Sequence, residues 1–243
     1  MITSEHIRDP LRADSRKLAL FLFGVLILPA ETISAPRANW YLTASTDYVY
    51  RGLSRSDGEV AVSGGIDREY DRLFGGVWAS TLTFPGDPGF AENVEIVPYI
   101  GMKWLQAGDW RLDTLVASHV LDGSSDLIAG SFTEYSVSVA FRESVGFEIT
   151  HIPNALGTRA SATYVEAQWS RRLAGAWSFD WNAGFAHTSR ALSENYLFGD
   201  LGVTRSWSRV SLDLRLHWAD DRARDAVGDL ADSRVVLSLT FTQ

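Results

Sequence analysis

The side chains able to do chemistry in this chain fall on alternate positions. In Val210–Trp218 (VSLDLRLHW), Ser211, Asp213, Arg215 and His217 are interleaved with Val210, Leu212, Leu214, Leu216 and Trp218. Asp180 lies between Phe179 and Trp181, and Glu148 between Phe147 and Ile149. Glu166 and Asp67 sit in similar stretches, and Asp47 and Arg51 share parity with Thr43 and Ser45. Acids, guanidinium and imidazole brought to one face can do three things. They can pair in a network, line an aqueous passage, or exchange protons with a bound molecule.

The third use has little support. His119, His151, His187 and His217 fall in different segments, and serine is abundant, so chance triads are available. None has a nucleophile-elbow context, and no P-loop, dinucleotide fingerprint or H-E-x-x-H pair occurs. With no cysteine there is neither a disulfide nor a Cys-ligated metal. The reading is therefore a non-enzyme that needs no cofactor. The acids Asp220, Asp221, Asp225, Asp229 and Asp232 read as a solvated loop, with weak divalent-cation binding as the alternative. Twenty-two basic against 30 acidic side chains, net −8, also argue against nucleic acid as a partner.

The elements that must hold these residues are strands, because a period of two is the signature of a β-strand with unlike faces. Turn signals divide the chain into about twelve. The expected spans are 39–51, 58–70, 73–84, 92–106, 110–121, 131–142, 144–153, 159–172, 175–188, 197–207, 209–219 and 233–242. Most exceed the usual five or six residues of a soluble strand and suit the roughly 9–11 of a tilted bilayer crossing. Val94–Ile100 is apolar on both faces and leaves its orientation open.

Short connections (near Asp71-Arg72, Ala107–Asp109, Arg142-Glu143, Leu173-Ala174 and Ser208) alternate with longer ones. The longer ones lie near Gly52–Asp57, Pro85–Ala91, Asp122–Gly130, Asn154–Thr158, Ser189–Tyr196 and Asp220–Asp232. That asymmetry is the layout of an outer-membrane barrel, with short turns in the periplasm. The expected fold is all-β: an antiparallel transmembrane up-and-down β-barrel of about 12 strands. The alternative is an exported soluble β domain with its apolar face inward.

Ahead of the strands, Arg16-Lys17 precedes the apolar run Leu18–Leu28, then Pro29 and the small residues Ser34 and Ala35. This is the order of a secretory signal, too short to span a bilayer as a helix. Residues 1–35 are expected to be a cleaved signal peptide and 36–243 the barrel. Trp40, Tyr41, Tyr48, Tyr50, Trp104, Trp110, Trp169, Trp177, Trp207 and Trp218 are candidates for interfacial girdles.

Thr46–Gly58 (TDYVYRGLSRSDG) resembles the opening hairpin of the TorF family of porin-like proteins, whose pattern is Ser-Asp-Tyr, an aromatic, then Arg-Gly-x-Ser. Ala61–Asp67 (AVSGGID) and Phe74–Ser80 (FGGVWAS) are similar to its next segments. Asn93–Gly101, Phe132–Tyr135 and Asp232–Val236 extend the likeness more weakly. Thr46, Val60 and Ser63 depart from the family's usual Ser, Pro and Gln. The resemblance implies an outer-membrane barrel with a porin role. Its partners would be outer-membrane lipid, the barrel-assembly machinery and small polar solutes, and its oligomeric state stays open.

The expected lumen set is Asp47, Arg51, Asp67, Glu148, Glu166, Asp180, Asp213, Arg215 and His217. Two readings stand for Asp47 and Arg51. They form a structural ion pair or network, with Asp67 as a possible third member, or a charged constriction that filters solutes. The leading function is passive diffusion of small polar solutes. The alternatives are a non-conducting structural or display barrel and, more remotely, a lipid-modifying barrel enzyme.

Overall fold

The computed structural model describes residues 38–83, 93–122, 131–155 and 157–243. The expected signal peptide lies outside them.

Twelve antiparallel strands close into one barrel. In chain order they are β1 (Asn39–Ser45), β4 (Ala61–Tyr70), β5 (Leu73–Leu82), β6 (Asn93–Ala107), β7 (Trp110–Asp122) and β8 (Phe132–Phe141). There follow β9 (Val145–Ala155), β10 (Ala160–Arg172), β11 (Trp177–His187), β12 (Tyr196–Trp207), β13 (Val210–Ala219) and β14 (Arg234–Thr242). Each pairs with its sequence neighbour, and β1 pairs with both β4 and β14 to close the ring. Two short strands, β2 (Val49–Tyr50) and β3 (Leu53–Ser54), form a separate hairpin that is not part of the wall.

The alternation resolves in favour of an apolar exterior. On β13, Leu212, Leu214 and Leu216 are 37%, 54% and 39% exposed, while Asp213 and Arg215 are 2% and 4% exposed. Val137, Ile149, Val165, Leu201, Leu237 and Leu239 repeat the pattern around the ring. A continuous apolar outer surface over polar inner walls inverts a soluble barrel and matches hydrocarbon outside. No helix among the described residues is long and apolar enough to cross a membrane.

At one end the strands are joined by tight turns that use left-handed residues: Asp71, Arg142, Glu143 and Ser208, with Gly108 and Gly175. Trp40, Tyr70, Trp104, Trp110, Trp177 and Trp207 are exposed near this end, as an interfacial girdle requires. Between Lys103 and Leu105 the β6–β7 register slips by a bulge. Trp104 and Leu105 therefore both face outward, and Lys103 turns in to pair with Glu69. The ambiguous segment Val94–Ile100 resolves with Glu95 and Val97 inside and Ile96 and Ile100 outside.

Among the described residues, the other end carries helices α1 (Ser189–Leu192) and α2 (Asp221–Val227) in its connections. Asp220 caps α2 through the Ala223 amide, and Asp232 pairs with Arg224 at 2.7 Å. The acid cluster is thus partly spent on helix structure, and no metal-sized convergence of ligands occurs among the described residues. That hydrogen bond to Asp232 holds the Arg224 guanidinium above its ordinary pKa.

One strand departs from expectation. β1 stops at Ser45, not near residue 51, and residues 46–60 leave the wall and fold into the barrel. Tyr48, expected on the lipid side, is therefore inside. The cause is local chemistry that satisfies the backbone away from β14. Asp47 accepts from the hydroxyls of Ser54 (2.7 Å) and Ser56 (2.8 Å), and the Ser56 hydroxyl accepts from the Tyr48 amide (2.9 Å). Arg51 and Gly52, at φ 50° and 80°, turn the chain between β2 and β3.

Candidate functional site

The candidate site is the lumen around this infolded hairpin. The hairpin crosses from one wall to the other. On one side Thr83 donates its amide to the Arg55 carbonyl (3.2 Å). On the far side Gly52 lies against β12 and β13, where an added Cβ would stand 2.8 Å from the Cβ of Phe198. Only a residue without a side chain, and tolerant of positive φ, fits there.

Buried ion pairs hold the hairpin to the walls. Arg51 reaches Glu134 on β8 (2.9 Å) and Glu166 on β10 (3.0 Å). Its guanidinium also lies over the rings of Tyr164 (4.1 Å) and Tyr50 (4.6 Å). Burial works against its charge, yet Glu134 and the groups beside it keep its pKa well above the ordinary value. Tyr48 donates to Glu95 (2.9 Å), Tyr50 donates to Glu134 (2.6 Å), and Arg55 pairs with Glu95 (3.5 Å). His119 stands between the two acids, 2.7 Å from Glu95 and 3.7 Å from Glu134, stacked on Phe132.

A second network lies across the barrel. Arg215 on β13 contacts Asp180 (2.7 Å), Asp200 (2.5 Å) and Asp213 (3.1 Å). Thr204 donates to Asp213 at 2.8 Å. Gly202 lets the guanidinium lie flat on the wall, since a Cβ there would come within 2.5 Å of it.

Between hairpin and walls lies a cavity of about 250 Å³. Tyr41, Tyr48, Trp78 and Tyr99 line it, together with Asp213, Arg215 and His217. On the hairpin's other face a smaller space of about 60 Å³ is bounded by Phe132, Ile152, Tyr164, Leu192, Tyr196 and Leu230. There an apolar cluster built on Phe132, Ile152, Tyr196 and Phe198 fills the long-loop end.

The model of one protein family, described as "Bacterial protein of unknown function (Gcw_chp)", matches residues 32–241. The chain belongs to the Gcw_chp family. No curated protein matches it. Among solved structures, the "KdgM porin" superposes with a TM-score of 0.52 at 3% identity, covering 84% of this chain and 98% of that one. A structure titled "Unveiling the Mechanism Behind the in-meso Crystallization of Membrane Proteins" also gives 0.52, at 7% identity, covering 85% and 83%. The "COG4313 outer membrane channel from Pseudomonas putida F1" gives 0.49 at 10% identity, covering 88% and 97%. At such identities the likeness is one of fold. The matched family model does not carry the TorF name, and that resemblance rests on the motif residues alone.

In this Gcw_chp chain the residues singled out from sequence fall into several groups. Asp47 and Arg51 both face inward but do not pair. Asp47 is 3.4 Å from Arg234, and Arg51 takes Glu134 and Glu166. Asp67 joins neither; it accepts from Asn39 (3.1 Å). Glu148 faces Glu166 in the β9–β10 register and accepts from Thr150 (2.9 Å). Asp180, Asp213 and Arg215 come together, and His217 lines the cavity beside them. Of the aromatics assigned to the girdles, Tyr41, Tyr48 and Tyr50 instead line the cavity, since odd positions of β1 and the hairpin point inward.

Sequence reasoning missed Arg55, Glu95, His119, Glu134 and Asp200. Glu134 and Asp200 were within reach, because they share parity with Ser136 and Gly202 on strands already assigned. Glu95 was hidden by the apolar run around it. Arg55 had no strand parity to read.

Proposed function

We propose that this protein is a porin-like outer-membrane barrel that passes small polar solutes passively through a narrow, constricted lumen. The export signal in residues 1–35 would deliver it to the periplasm. The barrel-assembly machinery would insert it with its short turns on the periplasmic side. The TorF resemblance of the hairpin segment supports this reading, and the apolar belt supports a lipid-facing wall.

The observation that carries the reading is the hairpin. Arg51 is held between Glu134 and Glu166 across a lumen that keeps a cavity of about 250 Å³ beneath it. A charged cross-piece over a cavity works by size exclusion and by local field, with no energy input. About eight strands are filled by side chains and 16–18 leave an open channel. Twelve strands with an infolded segment give a bore that passes only small solutes.

Planar-bilayer recording of the refolded protein tests it. Small, uniform conductance steps are expected, growing when Arg51→Ala loosens the hairpin. A folded barrel with neither conductance nor liposome uptake, in wild type and variant alike, would overturn the channel.

A second reading is favoured by the apolar cluster over the hairpin's long-loop face, where Leu53 packs against Phe132, Tyr196 and their neighbours. A seal of that kind suits a closed barrel that displays its loops. That double negative is the result it expects.

A further inference from the structure

The cavity beneath the hairpin has two unlike walls. One is aromatic: Tyr41 on β1, Tyr48 on the hairpin, Trp78 on β5 and Tyr99 on β6. Tyr48 and Trp78 meet edge to face, with ring centroids 5.4 Å apart. The other, on β13, carries Asp213 and Arg215.

The charge on the second wall is not what Arg215 alone suggests. Its guanidinium is drawn onto Asp180, Asp200 and Asp213, three carboxylates for one cation. Asp213 is the one of the three that lines the cavity, so the wall behind the cavity carries an excess of formal negative charge, and the aromatic lining stands across from it. Anions are disfavoured on both sides. A neutral apolar solute would leave the carboxylates without compensation.

A small cation with an apolar skin satisfies both walls, since ammonium groups bind aromatic faces by their quadrupole and gain when desolvated. The same lumen already seats a cation this way, with Arg51 lying 4.1 Å over the Tyr164 ring. The size is suitable too. About 250 Å³ far exceeds one water, at roughly 30 Å³, and falls just below the ~300–1,000 Å³ of pockets for drug-sized ligands.

We propose that this cavity is a binding site for a small organic ammonium ion. It names the solute class of the porin reading and rests on that reading only for how the ligand arrives. Binding itself does not require conduction.

The test is calorimetric titration of choline into the full-length mature barrel folded in detergent. Its uncharged carbon isostere and acetate are titrated in parallel. Saturable heat is expected for choline and for neither control. Trp78→Leu is expected to weaken choline binding at least tenfold and Trp78→Phe by less. Trp110→Leu, on the outer surface, is expected to leave it unchanged.

Heat-modifiable gel migration reports folding for each variant. Should Trp78→Leu misfold, Trp78→Phe carries the comparison. Equal binding of the isostere, or no saturable choline heat in the folded wild type, would overturn the proposal. A barrel that binds choline but shows no conductance would overturn the channel and leave this site standing.

Discussion

Arg51 and Glu134 are 83 residues apart in the chain, yet the guanidinium meets the carboxylate twice, at 2.9 Å and 3.4 Å, inside the barrel. One partner is on an infolded loop and the other on the wall. The contact therefore decides whether the loop stays in the lumen. Removing one member of a buried pair costs about 3–5 kcal/mol, because the other charge stays desolvated. Arg51→Ala should destabilise hairpin docking on that scale and raise single-channel conductance. Arg51→Lys should rescue only part, since one ammonium cannot serve Glu134 and Glu166 with a planar fork. Protease nicking within residues 46–60 of the folded barrel checks the same release.

Gly52 closes the hairpin at φ 80° against the Cβ of Phe198. Gly108, in a short turn, also has positive φ but open space around it. Gly108→Ala should cost only the left-handed backbone penalty, roughly 1–2 kcal/mol. Gly52→Ala should cost that plus about 1–3 kcal/mol of overpacking. Urea titrations followed by heat-modifiable migration would separate them, and equal costs would mean that the hairpin does not press on β12.

Gly202→Ala would force the Arg215 guanidinium off the wall, since the new Cβ would lie 2.5 Å from its carbon. Loss of Arg215's contacts would leave Asp180, Asp200 and Asp213 less compensated. The expected outcome is a shift of reversal potential toward cation selectivity in a salt gradient. An unchanged potential would mean that this network does not face the permeation path.

Leu214 is the most exposed of the β13 leucines and sits mid-strand. In a bilayer, Leu214→Arg should cost about 2–4 kcal/mol, the midplane penalty for a lipid-facing arginine. Leu214→Ile should cost little. Refolding into liposomes across a denaturant series measures both. An arginine tolerated as well as isoleucine would mean that this face does not meet hydrocarbon.

Much of this was legible in the sequence for a plain reason. A strand's two faces alternate whatever its neighbours do, so Leu212, Asp213, Leu214 and Arg215 announce their sides without any tertiary information. Turn chemistry is equally local, and the expected strand limits fall within a few residues of those observed from β4 to β14. Asp47 and Arg51 lie on the infolded hairpin, where the strand parity that assigned them stops applying after Ser45.

The chain itself set the strand spans, the order of short and long connections and the lipid-facing row. Those follow from contacts within a few residues or across one hydrogen-bonded pair. Local hydrogen bonds around Asp47 and Ser56 build the turn of residues 46–60, but only the closed barrel decided that Arg51 pairs with Glu134 and Glu166 rather than Asp47. Only there does Arg215 gather three aspartates, and only there do five aromatics converge on one cavity. Each of those outcomes depends on which walls face each other across the lumen, a distance that no local pattern encodes.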